Sequence, residues 1–329
     1  MLLLSRQQVA ALLDLDALVD AVARAMADLS AGRASVPSRI AAAVDQPQSF
    51  LAAMPAYLPS QRSLAAKLVT LFPGNAAAGI DTHQAMIAVF DAATGTPAAV
   101  MDGTYITATR TAAGSALATR LLARPDASVL AIIGTGVQAR AHGHAVPRVC
   151  ALEQVRVAGR DPAKASKLAL ELEAELDLPV QVAGSVRQAL DGADIVCLTT
   201  HSPEPVAQRA WLGEGAHVNS VGCNFAGREV DGRTVADSLL VVESRDSAFA
   251  PPPTGSNDLG WPLRDGLITR DHVHAEIGEL VAQTRPGRTD RDQLTLYKSV
   301  GVAAQDAAAA ALVLAEAERR GVGVRVDLD

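Results

Sequence analysis

The chain has 329 residues, of which 49% are hydrophobic and 20% are charged, a normal globular balance with room for two domains. Its formal net charge of −7 argues against a nucleic-acid binder, since such proteins usually present a basic face. Three widely spaced cysteines without a CxxC pattern indicate a reduced, cytoplasmic protein without a metal site, and no apolar run approaches the ~20 residues of a membrane span.

The first third of the chain predicts an α+β region. Two short helices are expected at the start, with Ser5 capping the first and residues 15–29 forming the second. Short apolar runs follow at 49–57, 64–72 and 85–90, separated by stretches rich in Gly, Pro, Asn and Asp. Such runs are typical of antiparallel strands joined by turns.

A helix expected over 107–122 leads into a region where strands and helices alternate. This alternation implies right-handed crossovers and a parallel sheet. The expected strands are 129–133, 154–158, 180–183, 194–199, 216–221, 238–243 and 293–298. The expected helices are 137–147, 162–175, 185–191, 274–284 and an Ala-rich segment at 301–320, with a loop at PPPTG (251–255).

The hexapeptide GTGVQA at 134–139 fits the dinucleotide-binding pattern G-x-G-x-x-A. It follows five apolar strand residues and opens a helix, which is the context that the pattern requires. The first Gly permits a tight turn, the second lets the backbone approach a pyrophosphate, and the helix N-terminus offers N–H groups to phosphates. An ordinary Gly-rich turn is the alternative. We therefore expect a nicotinamide-dependent enzyme.

The end of the next strand bears on the choice of cofactor. An acidic residue there would bind the ribose hydroxyls of NAD(H), but the tip is Gly159 or Arg160. Asp161 comes later and is expected to cap the helix that starts at Pro162. A guanidinium suits a 2′-phosphate, so NADP(H) is favoured, NAD(H) remains possible, and a solvated surface role for Arg160 is the alternative.

Three cations in the first region are candidates for an anion site: Arg39, Lys67 and Arg110. Lys67 lies in the predicted strand LAAKLVTLF, where its side chain either extends to water or faces a polar site. Arg110 lies in a helix of small residues, which allows a ligand to approach closely. A carboxylate substrate would use such cations. From the residues alone, surface positions are the simpler interpretation for each.

Six segments favour the anion site over surface positions for these cations: MPAY (54–57), AAKLVTLFPGN (65–75), MDGTYITATRTAAGSALAT (101–119), IGTGVQA (133–139), NSVGCN (219–224) and LYKSVGVAAQD (296–306). Together they resemble the ornithine cyclodeaminase/mu-crystallin family over most of the chain. The resemblance implies an α/β homodimer with two domains in each subunit. Residues 1–112 with 302–329 would form an α+β domain for substrate binding and dimerisation, and residues 113–301 a Rossmann domain.

The resemblance also implies roles for individual residues. The expected substrate-binding residues are Arg39, Lys67 and Arg110, and Met54 is expected to line the same pocket. The expected cofactor-binding residues are Thr82, Arg110, Thr111, Gly134, Thr135, Gly136, Val137, Gln138, Arg160, Thr199, Val221, Gly222, Lys298, Ser299 and Gly301. Thr199 and Gly222 are also favoured by their positions at predicted strand ends, which face the ligand crevice of an open α/β sheet.

Departures from the ornithine cyclodeaminase pattern shape the functional hypothesis. Asn224 stands where those enzymes use an Asp for proton transfer, and the segment at 49–57 lacks their Glu. An amide cannot take a proton at neutral pH, although it can orient an amine or a water. These losses favour the reductase and amino-acid dehydrogenase branches.

The leading hypothesis is therefore reduction of a cyclic 2-imino carboxylate, delta-1-pyrroline-2-carboxylate or delta-1-piperideine-2-carboxylate, to the L-amino acid. Lys67 would donate the proton and Asn224 would orient the amine or a water. The alternatives are ornithine cyclodeamination, alanine or other amino-acid dehydrogenation, and cofactor binding without catalysis.

Overall fold

A computed structural model describes residues 1–327. The chain divides into two compact units, one of Met1–Arg110 with the chain from Gly301 onward, the other of Thr111–Val300. It passes between them at 110/111 and at 300/301, where the sequence analysis expected 112/113 and 301/302. We call these unit 1 and unit 2.

The helices, in chain order, are α1 (Arg6–Leu12), α2 (Leu15–Ser30), α3 (Gly103–Leu122), α4 (Val137–Ala145), α5 (Pro162–Leu176), α6 (Val186–Leu190), α7 (Gly232–Asp237), α8 (Arg245–Ala248), α9 (Asn257–Arg264), α10 (Ile277–Val281) and α11 (Ala303–Arg320). The strands are β1 (Leu2–Leu4), β2 (Ile40–Ala43), β3 (Phe50–Leu58), β4 (Ser63–Leu71), β5 (His83–Phe90), β6 (Pro97–Asp102), β7 (Val129–Ile133), β8 (Gln154–Ala158), β9 (Val180–Val182), β10 (Ile195–Leu198), β11 (His217–Ser220), β12 (Leu239–Val242), β13 (Val273–Glu276), β14 (Thr295–Lys298) and β15 (Val324–Arg325).

Unit 1 is a mainly antiparallel sheet with helices on one face. Its strand order is β15-β1-β6-β5-β4-β3-β2, and β2 to β6 are antiparallel neighbours in chain order. The predicted antiparallel strands are therefore confirmed. Helix α11 packs on β3, β4 and β5 and on α2. Because side chains alternate along a strand, one face of β3 and β4 is buried under these helices and the other is more exposed.

The N-terminal helices begin where the sequence predicts. The Ser5 side chain accepts from the Gln8 backbone, and the Gln8 side chain accepts from the Ser5 backbone, which is a capping box. Asp14 caps α2 by accepting from Ala17. The long helix α3 begins at Gly103, four residues before its predicted start, because the Asp102 side chain accepts from the Tyr105 backbone.

Unit 2 is a parallel sheet of order β13-β12-β14-β11-β10-β7-β8-β9 with helices between the strands. The order reverses beside β7, since β8 and β9 extend to one side and β10 and β11 to the other. The predicted α/β fold with a dinucleotide-binding sheet is thus confirmed. The reversal point matters for function because ligands of open α/β sheets bind there, at the carboxyl ends of the strands.

One predicted helix is wrong in its first part. Residues 274–276 belong to β13, and only Ile277–Val281 within the expected helix 274–284 is helical. The strand forms because Val273 and Ala275 are buried while their neighbours are less so, and β13 pairs in parallel with β12. Tertiary pairing therefore decides the conformation of a segment whose periodicity alone was ambiguous.

Within residues 1–327, no helix is both long and apolar enough to cross a membrane. The same part of the chain holds no cluster of three or more His, Cys, Asp or Glu residues that suits a metal ion.

Candidate active site

Lys67 lies in the middle of β4 on the face buried beneath the helices. Its cross-strand partners are Met54 on β3 and Ile87 on β5, and its side chain is 2% exposed. The ammonium Nζ lies 2.7 Å from Oδ2 of Asp306 on α11 and 3.5 Å from the Thr107 hydroxyl. Lys67 therefore lies in a buried polar site, not at the surface.

Arg110 shares the carboxylate of Asp306 with Lys67. Its Nε donates to Asp306 Oδ1 at 3.0 Å, and its Nη1 donates to Gln305 Oε1 at 2.7 Å. Arg110 is buried as well, so the surface interpretation fails for it too. The single carboxylate of Asp306 thus holds two cations that lie 43 residues apart in the chain, at positions 67 and 110.

Arg39 reaches the same cluster through the backbone of Gly301. Its Nη2 donates to the Gly301 carbonyl at 2.6 Å. Gly301 has a φ of +75°, and a Cβ there would lie 3.0 Å from the guanidinium of Arg110. A residue with a side chain would therefore be strained in its backbone and crowded against Arg110. We call Arg39, Lys67, Arg110 and Asp306 the cation cluster.

The cation cluster contains three cations and one carboxylate, of which Lys67 and Arg110 contact Asp306 while Arg39 contacts the Gly301 carbonyl. Burial lowers the pKa of Lys67 to about 8, with Asp306 opposing the shift and Arg110 and Arg39 adding to it. The two cations hold the pKa of Asp306 below its usual value despite its burial. The cluster can bind an anion, and at neutral pH Lys67 can give up a proton at modest cost.

Two further residues expected in the site lie in unit 1. Met54 is buried directly opposite Lys67 on the neighbouring strand. Thr82 immediately precedes β5, its carbonyl accepts from the Phe72 backbone at 2.9 Å, and its hydroxyl lies 3.2 Å from His83 Nδ1. Met54 therefore neighbours the cation cluster, whereas the contacts of Thr82 are local.

The dinucleotide fingerprint of unit 2 forms the expected tight turn after β7. Gly134 has a φ of +124°, and a Cβ there would lie 2.5 Å from the hydroxyl of Thr199. Gly136 precedes α4 without a side-chain cap, and a Cβ there would meet no described atom within 4 Å. Protein packing thus requires the first glycine, while the second leaves the backbone and the first N–H groups of α4 accessible to a phosphate.

The other fingerprint residues complete this cradle. Thr135 packs against the tip of β8, since a Cβ at Gly159 would lie 2.6 Å from its Cγ2. Val137 is the first residue of α4 and is 63% exposed, and the Gln138 carbonyl accepts from His142. The turn fits a dinucleotide pyrophosphate, because its shape depends on glycines and its helix N-terminus faces outward.

The tip of β8 has no carboxylate available for a ribose. Arg160 is exposed. The Asp161 side chain accepts from the backbones of Ala163 and Lys164 at the start of α5, which confirms its capping role. The acidic residue nearest the tip is therefore already engaged.

The remaining expected cofactor residues of unit 2 lie at strand ends or in α3. The Thr199 hydroxyl donates to the Ile133 carbonyl at 2.9 Å, which ties the end of β10 to the end of β7. Val221 and Gly222 directly follow β11, and Thr111 is buried within α3. Ser299 follows β14 and donates to Glu243 at 2.9 Å.

Lys298, expected beside the cofactor, is 1% exposed and fully engaged inside unit 2. Its Nζ lies 2.9 Å from Asp258, 2.8 Å from the Gly222 carbonyl and 3.1 Å from the Ser220 hydroxyl. Lys298 therefore contacts the end of β11 through the Gly222 carbonyl, from the interior of unit 2.

Asn224 shapes the loop that follows β11. Its Nδ2 donates to the His201 carbonyl at 3.0 Å, and its Oδ1 accepts from the Ala226 backbone at 2.8 Å. Both ends of the amide are thus bonded to backbone, and its catalytic role stays a prediction.

Sequence reasoning missed three buried acids: Asp306 and Asp258, which pair with these cations, and Glu229, which accepts hydrogen bonds from Thr200, Ser220 and Gly222. Asp306 had a signal, because it is the only acid within the alanine run AAQDAAAAA of the quoted segment at 296–306 and its continuation. A lone acid on a buried helix face needs a cationic partner. Asp258 and Glu229 had no comparable signal.

The turn on the parallel sheet of unit 2 and the cation cluster of unit 1 define a nicotinamide-dependent oxidoreductase. The chain belongs to the ornithine cyclodeaminase/mu-crystallin family, whose model matches residues 1–321. The resemblance noted from the six sequence segments is thereby confirmed.

Individual relatives span nearly the whole chain. The ketimine reductase mu-crystallin of Mus musculus is 36% identical over 278 residues, which cover 84% of this chain and 83% of that protein. The structure of Thermococcus litoralis delta-1-pyrroline-2-carboxylate reductase in complex with NADH and L-proline has a TM-score of 0.94 and 39% identity, covering 99% and 100% of the two chains. An archaeal alanine dehydrogenase dimer with bound NAD has a TM-score of 0.93 and 30% identity, covering 100% and 99%.

Proposed function

We propose that this protein reduces a cyclic 2-imino carboxylate, delta-1-pyrroline-2-carboxylate or delta-1-piperideine-2-carboxylate, to the L-amino acid. The observation that carries the proposal is the buried ion pair between Lys67 and Asp306 at 2.7 Å, with Arg110 on the same carboxylate. The Thermococcus relative, described with NADH and L-proline, supports the same substrate class.

The two arginines of the cation cluster bind the substrate carboxylate. A guanidinium presents N–H donors in a plane that matches a carboxylate, so Arg39 and Arg110 suit this task better than lysines would. Asp306 and Gln305 fix the orientation of Arg110, and the Gly301 carbonyl fixes that of Arg39. Met54 limits the size of the substrate ring beside Lys67.

Lys67 supplies the proton. Reduction of the C=N bond adds a hydride to carbon and a proton to nitrogen, and a reduced nicotinamide, when bound, is the hydride source. A Lys67 ammonium whose pKa is lowered to about 8 is protonated at neutral pH yet transfers its proton more readily than an exposed lysine. Asp306 holds the ammonium in place during this step.

We further propose that NADP(H) is preferred over NAD(H). Gly159 leaves no carboxylate at the strand tip, Asp161 is engaged as a helix cap, and Arg160 is exposed beside them. The relatives with NADH and NAD make NAD(H) the alternative. Comparing kcat/KM for the two reduced cofactors decides between them.

Dehydrogenation of an acyclic amino acid is the second candidate, since the archaeal alanine dehydrogenase shares the fold at 30% identity. The cation cluster would bind the imino acid formed from a 2-oxo acid and ammonia in the same way. Ornithine cyclodeamination is less well supported, because Asn224 and the segment 49–57 lack the acids that it needs.

We also propose that two copies associate through the outer face of the unit 1 sheet. Ile40, Ala53, Leu68 and Met86 form one cross-strand row over β2 to β5, and Ile40 and Met86 are 71% and 50% exposed. An apolar row of this kind is typical of a protein interface. A Leu68→Glu variant that elutes as a monomer would support a homodimer. A cytoplasmic location stays a prediction.

The function is tested by supplying NADPH or NADH with the two cyclic imines, with pyruvate plus ammonia, and with L-ornithine. We expect oxidation of reduced cofactor with the cyclic imines and formation of the corresponding L-amino acid. Turnover with pyruvate and ammonia alone would establish the dehydrogenase instead. Tight cofactor binding without turnover of any substrate would refute an enzymatic role.

A further inference from the structure

A buried carboxylate joins the ends of two neighbouring strands in unit 2. Glu229 Oε1 accepts from the backbone and the hydroxyl of Thr200 at 2.6 and 2.9 Å. Its Oε2 accepts from the Gly222 backbone and the Ser220 hydroxyl, both at 2.9 Å. One oxygen therefore holds the segment after β10, and the other holds the end of β11.

Asp258 holds the backbone of Glu229 in place, and Lys298 pairs with Asp258. Asp258 Oδ1 accepts from the backbones of Glu229 and Val230 at 2.7 and 2.9 Å. Lys298 pairs with Asp258 and donates to the Gly222 carbonyl and to the Ser220 hydroxyl. The same strand end is thus held by a carboxylate at its N–H and by an ammonium at its C=O.

The fit around Gly222 is tight. A Cβ there would lie 2.3 Å from the Thr200 carbonyl oxygen and 2.4 Å from Glu229 Oε1. At Gly222 the end of β11 is therefore packed closely against Thr200 and Glu229, with no space for a side chain.

The backbone donors around Glu229 favour its ionised carboxylate. Each carboxylate oxygen faces one backbone N–H, and a backbone N–H cannot act as an acceptor. Burial raises the pKa of Glu229, and the neighbouring Lys298 ammonium opposes that shift. The ammonium therefore favours the charged form that accepts from both segments.

These strand ends lie in the half of the sheet that the pyrophosphate turn does not use. In a doubly wound sheet each half binds one mononucleotide, and the turn at 134–139 with the tip of β8 serves the adenosine half. The ends of β10 and β11 accordingly serve the nicotinamide half.

We propose that Glu229 is a positioning residue that fixes the segments 199–200 and 221–222 as the binding surface for the nicotinamide half of the cofactor. Lys298 and Asp258 support it and do not touch the cofactor. This inference rests on the dinucleotide site proposed above.

The Glu229→Gln variant tests the proposal sharply. Whichever way the amide is turned, its NH2 group faces the backbone N–H of either Thr200 or Gly222. That N–H then has no acceptor, so one of the two segments loses its hydrogen bond to residue 229. We expect the affinity for the whole reduced dinucleotide to fall about tenfold or more, the change that corresponds to ~1.4 kcal/mol. Affinity for 2′-phospho-ADP-ribose and for ADP-ribose, which lack the nicotinamide, is expected to stay unchanged.

Asp194→Asn is the matched control. Asp194 also accepts from two backbone N–H groups, those of Ser128 and Val129, but at the amino ends of the strands. It is expected to alter stability without changing the ratio of dinucleotide affinity to fragment affinity. Ser220→Ala removes one hydroxyl from the network and serves as a milder variant if Glu229→Gln fails to fold.

A selective loss of dinucleotide affinity in Glu229→Gln, or a smaller one in Ser220→Ala, supports the positioning role. Equal losses for dinucleotide and fragments, or no loss in either variant, overturn it. A wild-type protein that binds the fragments and the dinucleotide equally well also overturns it. A wild-type protein that binds none of these ligands refutes the dinucleotide site itself, which is a distinct result.

Discussion

Replacing Asp306 with Asn removes the carboxylate that holds Lys67 and Arg110 at 2.7 and 3.0 Å. All three side chains are at most 5% exposed, so the two cations would remain buried without their counter-charge. Breaking a buried ion pair on one side costs about 3–5 kcal/mol. We expect a loss of this size in the free energy of unfolding, measured by urea titration in the presence and absence of substrate.

The same substitution is expected to change the pH profile. Asp306 raises the pKa of Lys67, against the burial that lowers it to about 8. A proton donor works only when protonated, so kcat/KM of the wild type is expected to fall as the pH rises through about 8. Without Asp306 the Lys67 pKa falls further, so the pH at which kcat/KM declines is expected to move down by about 1–3 units.

Asp28→Asn is the control for this experiment. Asp28 is equally buried in unit 1 and pairs with Arg33, and its bonds to Arg33 and Ser60 do not involve the cation cluster. The Asp28→Asn variant is expected to be less stable than the wild type but to show the decline of kcat/KM at the same pH. An Asp306→Asn protein with wild-type stability, whose kcat/KM declines at the same pH as that of the wild type, would refute two assignments together. These are Asp306 as the counter-charge of the buried cations and Lys67 as the proton donor.

Three further substitutions test the two sites separately. Lys67→Met is expected to lower kcat by about 10²–10⁴-fold with no change in dinucleotide affinity, and full activity would exclude Lys67 as the proton donor. Arg160→Ser is expected to weaken NADPH binding about tenfold or more and leave NADH binding unchanged, whereas equal effects would place Arg160 outside the 2′-phosphate site. Gly134→Ala is expected to abolish binding of both cofactors, because its Cβ would lie 2.5 Å from the Thr199 hydroxyl, and unaltered binding in a titration would contradict the proposed turn.

The sequence predicted those features whose cause is local. The strands of unit 2 other than β13 and the turn at 134–139 have their own apolar runs and glycines, and the structure confirms them. Ser5 and Asp161 were correctly identified as helix caps, because a cap depends only on the next few residues. The apolar runs of unit 1 likewise predicted antiparallel strands, which the ladder from β3 to β5 confirms.

The features that escaped prediction depend on residues far apart in the chain. Asp306 meets Lys67 across 239 positions, and no local pattern links an acid on an alanine-rich helix to a lysine on a strand. The hydrogen bonds of Glu229 likewise form only because the ends of β10 and β11 are adjacent in the folded sheet. The helix prediction for residues 274–276 was wrong for the same reason, because pairing with β12, and not their own periodicity, makes them a strand.

Transfer of a labelled hydride is the most direct test of the central claim. NADPH and NADH deuterated at C4 of the nicotinamide, on either face, are incubated with the protein and delta-1-pyrroline-2-carboxylate, and the proline formed is analysed by mass spectrometry and chiral chromatography. The account predicts that one of the two labels gives L-proline with one deuterium at Cα, formed in equal amount to the cofactor oxidised, and that the Lys67→Met variant forms this product about 10²–10⁴-fold more slowly. Absence of deuterium in the product with both labels, or proline formed from L-ornithine with ammonia release and no net cofactor oxidation, would contradict it.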